Sequence, residues 1–280
     1  MSDDVLLVDD PLPRVRRLTL NRPDKRNALN DALRGALFDE LRRADRSRDV
    51  SVIIIRGAGP AFCAGYDLGS ANTDVERPIA KQDGWWSRHV VNNWFEMWDM
   101  ATPIIGQVHG YCLAGGSELA AACELVYVAE DAKIGYPPGR LMSPPDMLWQ
   151  TWRLGLRRGG EALLTGDAMS GTDAVAAGMA NRAHPADELD AAVLAVAERV
   201  AKIPIELLTL NKRAAHRAME AQGIRTGIRA TAEIQALGFH QPPSIEYLQS
   251  FAKVGVSKAL SERDAAFNDY REAPEPGSDR

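Results

Sequence analysis

Two apolar runs that each open into a glycine-rich turn constrain this chain more than any other feature. Val52-Ile53-Ile54-Ile55 leads into Gly57-Ala58-Gly59-Pro60, and Pro103-Ile104-Ile105-Gly106-Gln107-Val108 leads into His109-Gly110. Continuous apolar runs this short, closed by turn residues, predict strands buried on both faces. Such strands occur in layered α/β folds, where helices cover the sheet. Val15-Arg16-Arg17-Leu18-Thr19-Leu20 alternates as a further strand. Residues 28–45 set Leu29, Leu33, Leu37 and Leu41 at helical spacing behind a cap at Asn27 or Asn30.

From Val126-Tyr127-Val128-Ala129 onward the pattern becomes mainly helical. Residues 187–202, 205–221 and 224–238 carry apolar side chains at helical spacing, and 244–251 and 256–269 add two shorter helices. Helices gathered at one end of a chain predict a lid or assembly module. The expected division is a core over residues 1–200 that holds the site, a helical module over 201–272, and a Pro/Gly/charged tail over 273–280 that stays disordered. Residues 69–84 are polar and proline-interrupted, which predicts a mobile loop beside the turns.

Composition narrows the partners. A chain of 280 residues with 45% hydrophobic content can bury a large core. Its 33 basic residues are scattered among 38 acidic ones, for a net charge of −5, which argues against a nucleic-acid partner. Residues 1–10 carry four aspartates and no basic segment. No apolar run approaches the roughly 18 residues of a membrane span, so a soluble, cytoplasmic protein without a membrane partner is expected. Cys63, Cys112 and Cys123 lack metal spacing and read as packed thiols. No pair among His89, His109, His184, His216 and His240 is spaced for a metal.

The stretches after the two strands carry the chemistry. In the second, the small residues Ala114-Gly115-Gly116 open a helix that runs through Leu119 to Cys123. Amides at a helix start lack intrahelical acceptors and sit at the positive end of the dipole, which suits an anion. With Ala64-Gly65-Tyr66 closing the first turn, two amides can converge on one oxygen, as the enolate or tetrahedral oxyanion of a thioester requires. Small residues that let a helix pack closely on a strand give the same pattern, so either segment alone leaves both readings open. Glu118 stands three residues after Gly115 beside Leu119, Ala120, Ala121 and Ala122, and these apolar neighbours argue for a working carboxyl over a solvated one. His89 shares a helical face with Asn92 and Glu96; an isolated histidine is more often a packing or surface residue than a catalyst.

Four segments, in this order, resemble the crotonase, or enoyl-CoA hydratase/isomerase, superfamily. They are Leu20-Asn21-Arg22-Pro23-Asp24-Lys25-Arg26-Asn27-Ala28-Leu29-Asn30, Phe62-Cys63-Ala64-Gly65-Tyr66-Asp67-Leu68, Gly110-Tyr111-Cys112-Leu113-Ala114-Gly115-Gly116-Ser117-Glu118-Leu119, and Leu164-Thr165-Gly166-Asp167 followed by residues 174–178. The resemblance implies an α/β fold, a crotonase-type spiral of β-β-α turns with a C-terminal helical module, assembled as a homotrimer or dimer of trimers. It implies an acyl-CoA-processing enzyme, a lyase or isomerase, that stabilises a thioester enolate on the amides of Tyr66 and Gly115, with Glu118 as acid/base. Arg26, Ala28, Ala64, Tyr66, Asp67, Leu68 and Gly115 would bind coenzyme A, which arrives as part of the substrate. No permanently bound cofactor and no metal are implied. Similar chains often carry a basic residue after the Asp-Leu pair; here Gly69 stands there, which shifts phosphate contacts to Lys25 or Arg26.

Two further positions bear on the reaction. The second carboxylate of a hydratase falls at Pro138, and proline cannot move a proton, so standard two-carboxylate hydration is not expected. Asp146 matches the position that serves as acid/base in dienoyl-CoA isomerases and as nucleophile in aryl-CoA dehalogenases. The plain alternative is a cap for a helix over residues 147–154. Trp85, Trp86, Trp94, Trp98, Trp149 and Trp152 read first as core, and second as walls of a bulky acyl pocket. The rival enzyme readings are a thioester hydrolase, dehalogenase or C–C bond-cleaving enzyme using Asp146. Outside catalysis, the rival is an acyl-CoA-binding or scaffold protein.

Overall fold

The structure, a computed structural model, describes residues 4–69, 85–267 and 270. The expected loop beyond Gly69 and the tail lie outside the described residues, as do the side chains of Trp85, Trp86 and His89.

Strands β1 (Leu6–Leu12) and β2 (Val15–Leu20) form an antiparallel hairpin at one edge of the larger sheet. The chain then repeats a strand, a second strand and a helix. Strands β3 (Val52–Gly57), β5 (Ile104–Val108) and β7 (Leu125–Ala129) enter the large sheet, and β4 (Ala61–Cys63), β6 (Tyr111–Leu113) and β8 (Lys133–Gly135) enter the small one. The large sheet is ordered β1-β2-β3-β5-β7-β9, closed by β9 (Arg182–His184), and the small one β4-β6-β8. Among the described residues every pair of named strands after the hairpin is parallel, with Ile53 opposite Ile104 and Ile105 opposite Leu125. Helices α1 (Asp31–Arg46), α2 (Trp85–Asp99), α3 (Gly115–Ala122) and α4 (Gln150–Thr165) follow β2, β4, β6 and β8, and α5 (Gly171–Ala177) precedes β9. This is the spiral of β-β-α turns expected from the sequence, and Val52 to Ile55 are all fully buried.

The start of the first helix differs from expectation. Helix α1 begins at Asp31, because Asn30 caps it by accepting from the Leu33 N–H at 2.9 Å. Asn27 is no cap: buried and at φ 56°, it donates to the Ala58 and Ala61 carbonyls at 2.9 and 2.7 Å and accepts from the Arg22 N–H. It therefore ties the first segment to the β3–β4 turn. The edge strand β1 has little apolar signal because most of it faces solvent. Its Asp9 and Asp10 pair with Arg17 and Arg16, each at 2.6 Å.

Helices α6 (Leu189–Ala201), α7 (Ile205–Ala221), α8 (Ile224–Phe239), α9 (Pro242–Val254) and α10 (Val256–Asp264) complete the described chain. Buried Lys212 fastens α7 to the core, donating to the Met97 and Thr102 carbonyls at 2.8 and 3.0 Å and pairing with Glu124 at 3.2 Å. Helix α8 contributes Ile228 and Ala232 to the main core, while Tyr247 and Ala259 form a second small core with Met142. These last helices hold residues 136–149 in place. The Ser244 hydroxyl donates to the Met142 carbonyl, and a methyl on Gly238 would meet Pro144 at 2.9 Å. Arg140 anchors the start of that segment, donating to Asp264 at 3.2 Å and to the Thr165 carbonyl at 3.0 Å while its guanidinium lies 3.8 Å from the Phe267 ring centroid.

Candidate active site

The two glycine-rich turns meet back to back. Gly65 sits at φ 101°, a conformation that glycine adopts without strain, and a methyl there would lie 2.7 Å from the Ala114 Cβ and 3.2 Å from the Gly115 nitrogen. A methyl on Gly116 would strike the Cys63 carbonyl oxygen at 2.2 Å. Ala114 turns the chain at φ 49°, ψ −126°, and helix α3 starts at the next residue. Among the described residues the Gly115 N–H has no hydrogen-bond acceptor, as befits the first turn of a helix.

The first segment lies against the same turn. The Ala64 N–H donates to the Arg26 carbonyl at 2.9 Å, the Leu29 N–H to the Gly65 carbonyl at 2.8 Å, and the Asp67 N–H to the Leu29 carbonyl at 3.0 Å. The Arg22 guanidinium donates to the Ala28 carbonyl and pairs with Asp67 at 2.8 Å. Arg26 and Lys25 are exposed, with the Arg26 guanidinium 4.5 Å from the Tyr111 ring centroid. Leu68 packs against the small core around Met142 and Tyr247. The two segments expected to touch coenzyme A, residues 26–29 and 64–68, are thus bonded to each other through the backbone, and Gly65 and Tyr66 of the second pack against Gly115.

Beneath the turns lies a buried acidic pair. Glu118, one turn into α3, has 0% exposure, and Asp146 has 2%. Glu118 Oε1 accepts from the Met147 N–H and Oε2 from the Tyr66 hydroxyl, both at 3.1 Å. Burial, and next the charge of Asp146, push the Glu118 carboxyl well above the usual carboxylate range, against the opposing pull of its donors. The Tyr66 and Tyr136 phenols, also enclosed beside the two acids, are pushed up by burial and by those charges. Trp149 donates from its indole nitrogen to the Ser117 hydroxyl at 3.3 Å, and Trp94 faces Glu118, so two of the tryptophans wall the acidic pair. Trp98 donates to the Ala122 carbonyl in the core, and Trp152 is only partly buried.

The structure brings Tyr66, Gly115, Glu118 and Asp146 together. Asp146 is no helix cap: α4 starts at Gln150, behind Trp149, and residues 147–149 lie outside it, with the Met147 N–H donating to Glu118. Pro138 sits in a short 3-10 helix, Pro137–Arg140, where its carbonyl accepts from the N–H groups of Leu141, Met142 and Ser143. Sequence reasoning missed the side chains of Tyr66 and Tyr136, the Met147 amide and Arg22. The signal for Tyr66 was available as a phenol in a turn otherwise built of small residues. Elsewhere, a cavity of about 290 Å³ between the end of α2 and α7, lined in part by Trp98, Arg213 and His216, contains none of these residues. Among the described residues no His, Cys, Asp and Glu cluster could hold a metal, and no helix is long and apolar enough to cross a membrane.

Residues 13–255 match the family model described as enoyl-CoA hydratase/isomerase. The chain belongs to that family. A crystal structure of an enoyl-CoA hydratase from Mycobacterium smegmatis is similar to this enoyl-CoA hydratase/isomerase family member at a TM-score of 0.88, with 30% identity and 95% of each chain covered. The enoyl-CoA hydratase/isomerase from Xanthobacter autotrophicus Py2 gives 0.87 and 31%, covering 94% of this chain and 98% of that one. The human mitochondrial Delta(3,5)-Delta(2,4)-dienoyl-CoA isomerase is 29% identical over 222 residues, 73% of this chain and 66% of its own length. The family and the fold expected from the sequence are both borne out.

The raised Glu118 carboxyl has a consequence for stability. A carboxyl whose folded pKa exceeds its ordinary value of 4.5 favours the folded state while protonated, and that stability is lost as pH rises through the raised value. Thermal melts of the natural chain and of Glu118→Gln, compared from pH 4 upward, should show the natural chain losing ground to the variant as pH rises. A difference in melting temperature that does not change with pH would mean that Glu118 is not held protonated.

Proposed function

We propose that this chain moves a proton at the carbon beside the carbonyl of an acyl-CoA thioester, and that its reaction shifts a double bond along the acyl chain. The observation that carries this reading is the pair Glu118 and Asp146, exposed 0% and 2%, beneath the turn that presents the Gly115 amide. In a buried acidic pair each charge disfavours ionisation of the other, so one member tends to hold a proton while the other is ionised, which provides an acid and a base in one site. A double-bond shift needs both, one to take a proton from carbon and one to return it elsewhere on the chain.

The amides of Tyr66 and Gly115 hold the thioester oxygen as it gains charge, and Gly115 does so from the positive end of α3. Glu118 exchanges the proton beside the carbonyl, and Asp146 serves the more distant carbon. Coenzyme A lies along residues 26–29 and 64–68, its phosphates near exposed Arg26 and Lys25. Two-carboxylate hydration is disfavoured because Pro138 stands where its second carboxyl would be, its carbonyl engaged in a turn. The names of the hydratase relatives favour hydration, and this is the second reading, in which Asp146 would serve as the replacement acid.

A panel of 2-enoyl, 3-enoyl, dienoyl and aroyl thioesters followed by absorbance separates the two. The proposal predicts fast interconversion of 3-enoyl or dienoyl esters and slow hydration of crotonyl-CoA. Glu118→Gln should lower kcat by on the order of 10²–10⁴-fold with little change in KM. Rapid hydration without any double-bond shift would establish the second reading, and full activity of the Gln variant would remove Glu118 from the mechanism.

The proposal extends to assembly as a homotrimer or dimer of trimers through the helical module over residues 201–272. Leu207 and Leu210 on α7 and Ile234 and Leu237 on α8 are exposed at spacings of three residues, which supports covered helix faces. Light scattering should report three or six times the chain mass of 30.6 kDa, and a stable monomer would contradict this.

A further inference from the structure

Glu118 is wholly buried, yet the function proposed above, on which this inference rests, requires an acyl carbon to reach it. Besides Asp146, itself exposed 2%, three side chains or amides face its carboxyl: Met147 and Trp94, exposed 1% and 2%, and Tyr66, which is half-buried. Of these three, Tyr66 alone extends toward the surface. Its ring edge presses on Gly115, where a methyl group would lie 2.6 Å from Cε2 and 2.8 Å from Cζ, and its hydroxyl ends on Glu118 Oε2 at 3.1 Å. The phenol therefore spans the interval between the amide that takes the thioester oxygen and the carboxyl that takes the proton. The carbon beside the thioester carbonyl must pass through that same interval. Arg34, itself buried, places its guanidinium 5.9 Å from the ring centroid and limits how far the ring can turn away.

We propose that the Tyr66 side chain is the specificity-determining wall of the acyl chamber, admitting acyl groups that are unbranched beside the thioester and excluding those that carry a methyl branch there. The backbone amide of Tyr66 has a separate role, so a change of side chain leaves the oxygen-binding donors in place. A branch methyl occupies the volume that the ring fills, whereas a straight chain lies alongside it. Misfit of a single methyl group in an enclosed site typically changes affinity by about tenfold or more.

The test is titration calorimetry of the full chain with butanoyl-CoA and 2-methylbutanoyl-CoA, for the natural protein, Tyr66→Phe and Tyr66→Ala. The natural protein and the Phe variant should both prefer the unbranched ester by about tenfold or more. In Tyr66→Ala that preference should disappear through tighter binding of the branched ester. Equal binding of the two esters by the natural protein, or an undiminished preference in Tyr66→Ala, would overturn the proposal. If Tyr66→Ala does not fold, as judged by its melting curve, Tyr66→Leu decides the question in the same way. Calorimetry needs no turnover, so the two readings fail separately. Selective binding that depends on Tyr66, without conversion of any thioester, would sink the catalytic reading and leave the wall standing; binding of neither ester would overturn both.

Discussion

Everything in this site depends on one close approach of backbone to backbone. The turn at Ala64-Gly65-Tyr66 lies directly against the first residues of α3, with no room for a Cβ at Gly65 or Gly116. That contact is possible because β4 and β6 are adjacent parallel strands of the small sheet, so the loops that leave them emerge side by side. The parallel pairing of β3 with β5 in the large sheet repeats the same offset. A spiral with each turn displaced by one strand delivers two turns to one point, and the buried apolar strands hold that point rigid.

The acidic pair runs against the usual rules of a core. A buried carboxyl is unfavourable unless it is hydrogen-bonded or neutralised, and Glu118 has a second acid beside it. Two donors offset part of this, the Met147 N–H and the Tyr66 hydroxyl, and both come from segments that the fold holds firmly. Residues 136–149 are fixed by Arg140 at one end and by α8 and α9 along their length. The carboxy-terminal helices thus position the segment that bears Asp146, which links the helical module to the chemistry of the core. Groups kept at an unfavourable ionisation by their surroundings are a recurring mark of working sites.

Strands β2, β3, β5 and β7 and the helices after residue 187 were legible in the sequence because each rests on a local pattern, apolar runs or helical spacing, whereas β4, β6, β8 and β9, of three residues each, are too short to carry one. Gly115 and Glu118 had small or apolar neighbours at a helix start, and Asp146 was marked by the family resemblance alone. Strand β1 escaped since its residues mostly face water and its acidic pair looks like a solvated terminus until Arg16 and Arg17 lie opposite. The helix expected over residues 147–154 starts at Gln150 instead, and the Met147 amide meets a side chain from α3, 29 residues earlier, a contact that no local pattern encodes. The phenols of Tyr66 and Tyr136 escaped for a similar reason. Tyr66 matters through its hydroxyl bond to Glu118 and Tyr136 through the charges of the two acids nearby, relations that no spacing along the chain encodes.

The central claim is that the buried pair of Glu118 and Asp146 moves a proton at the carbon beside a thioester carbonyl held on two amides. It is tested most directly by following, by proton magnetic resonance in heavy water, the hydrogens at C2 of butanoyl-CoA, a saturated ester on which no double bond can move and no water can add. The account predicts that the natural chain washes out the C2 signal faster than buffer alone while the C3 and C4 signals persist. Retention of the C2 hydrogens at the buffer rate, under conditions where the ester is bound, would contradict it.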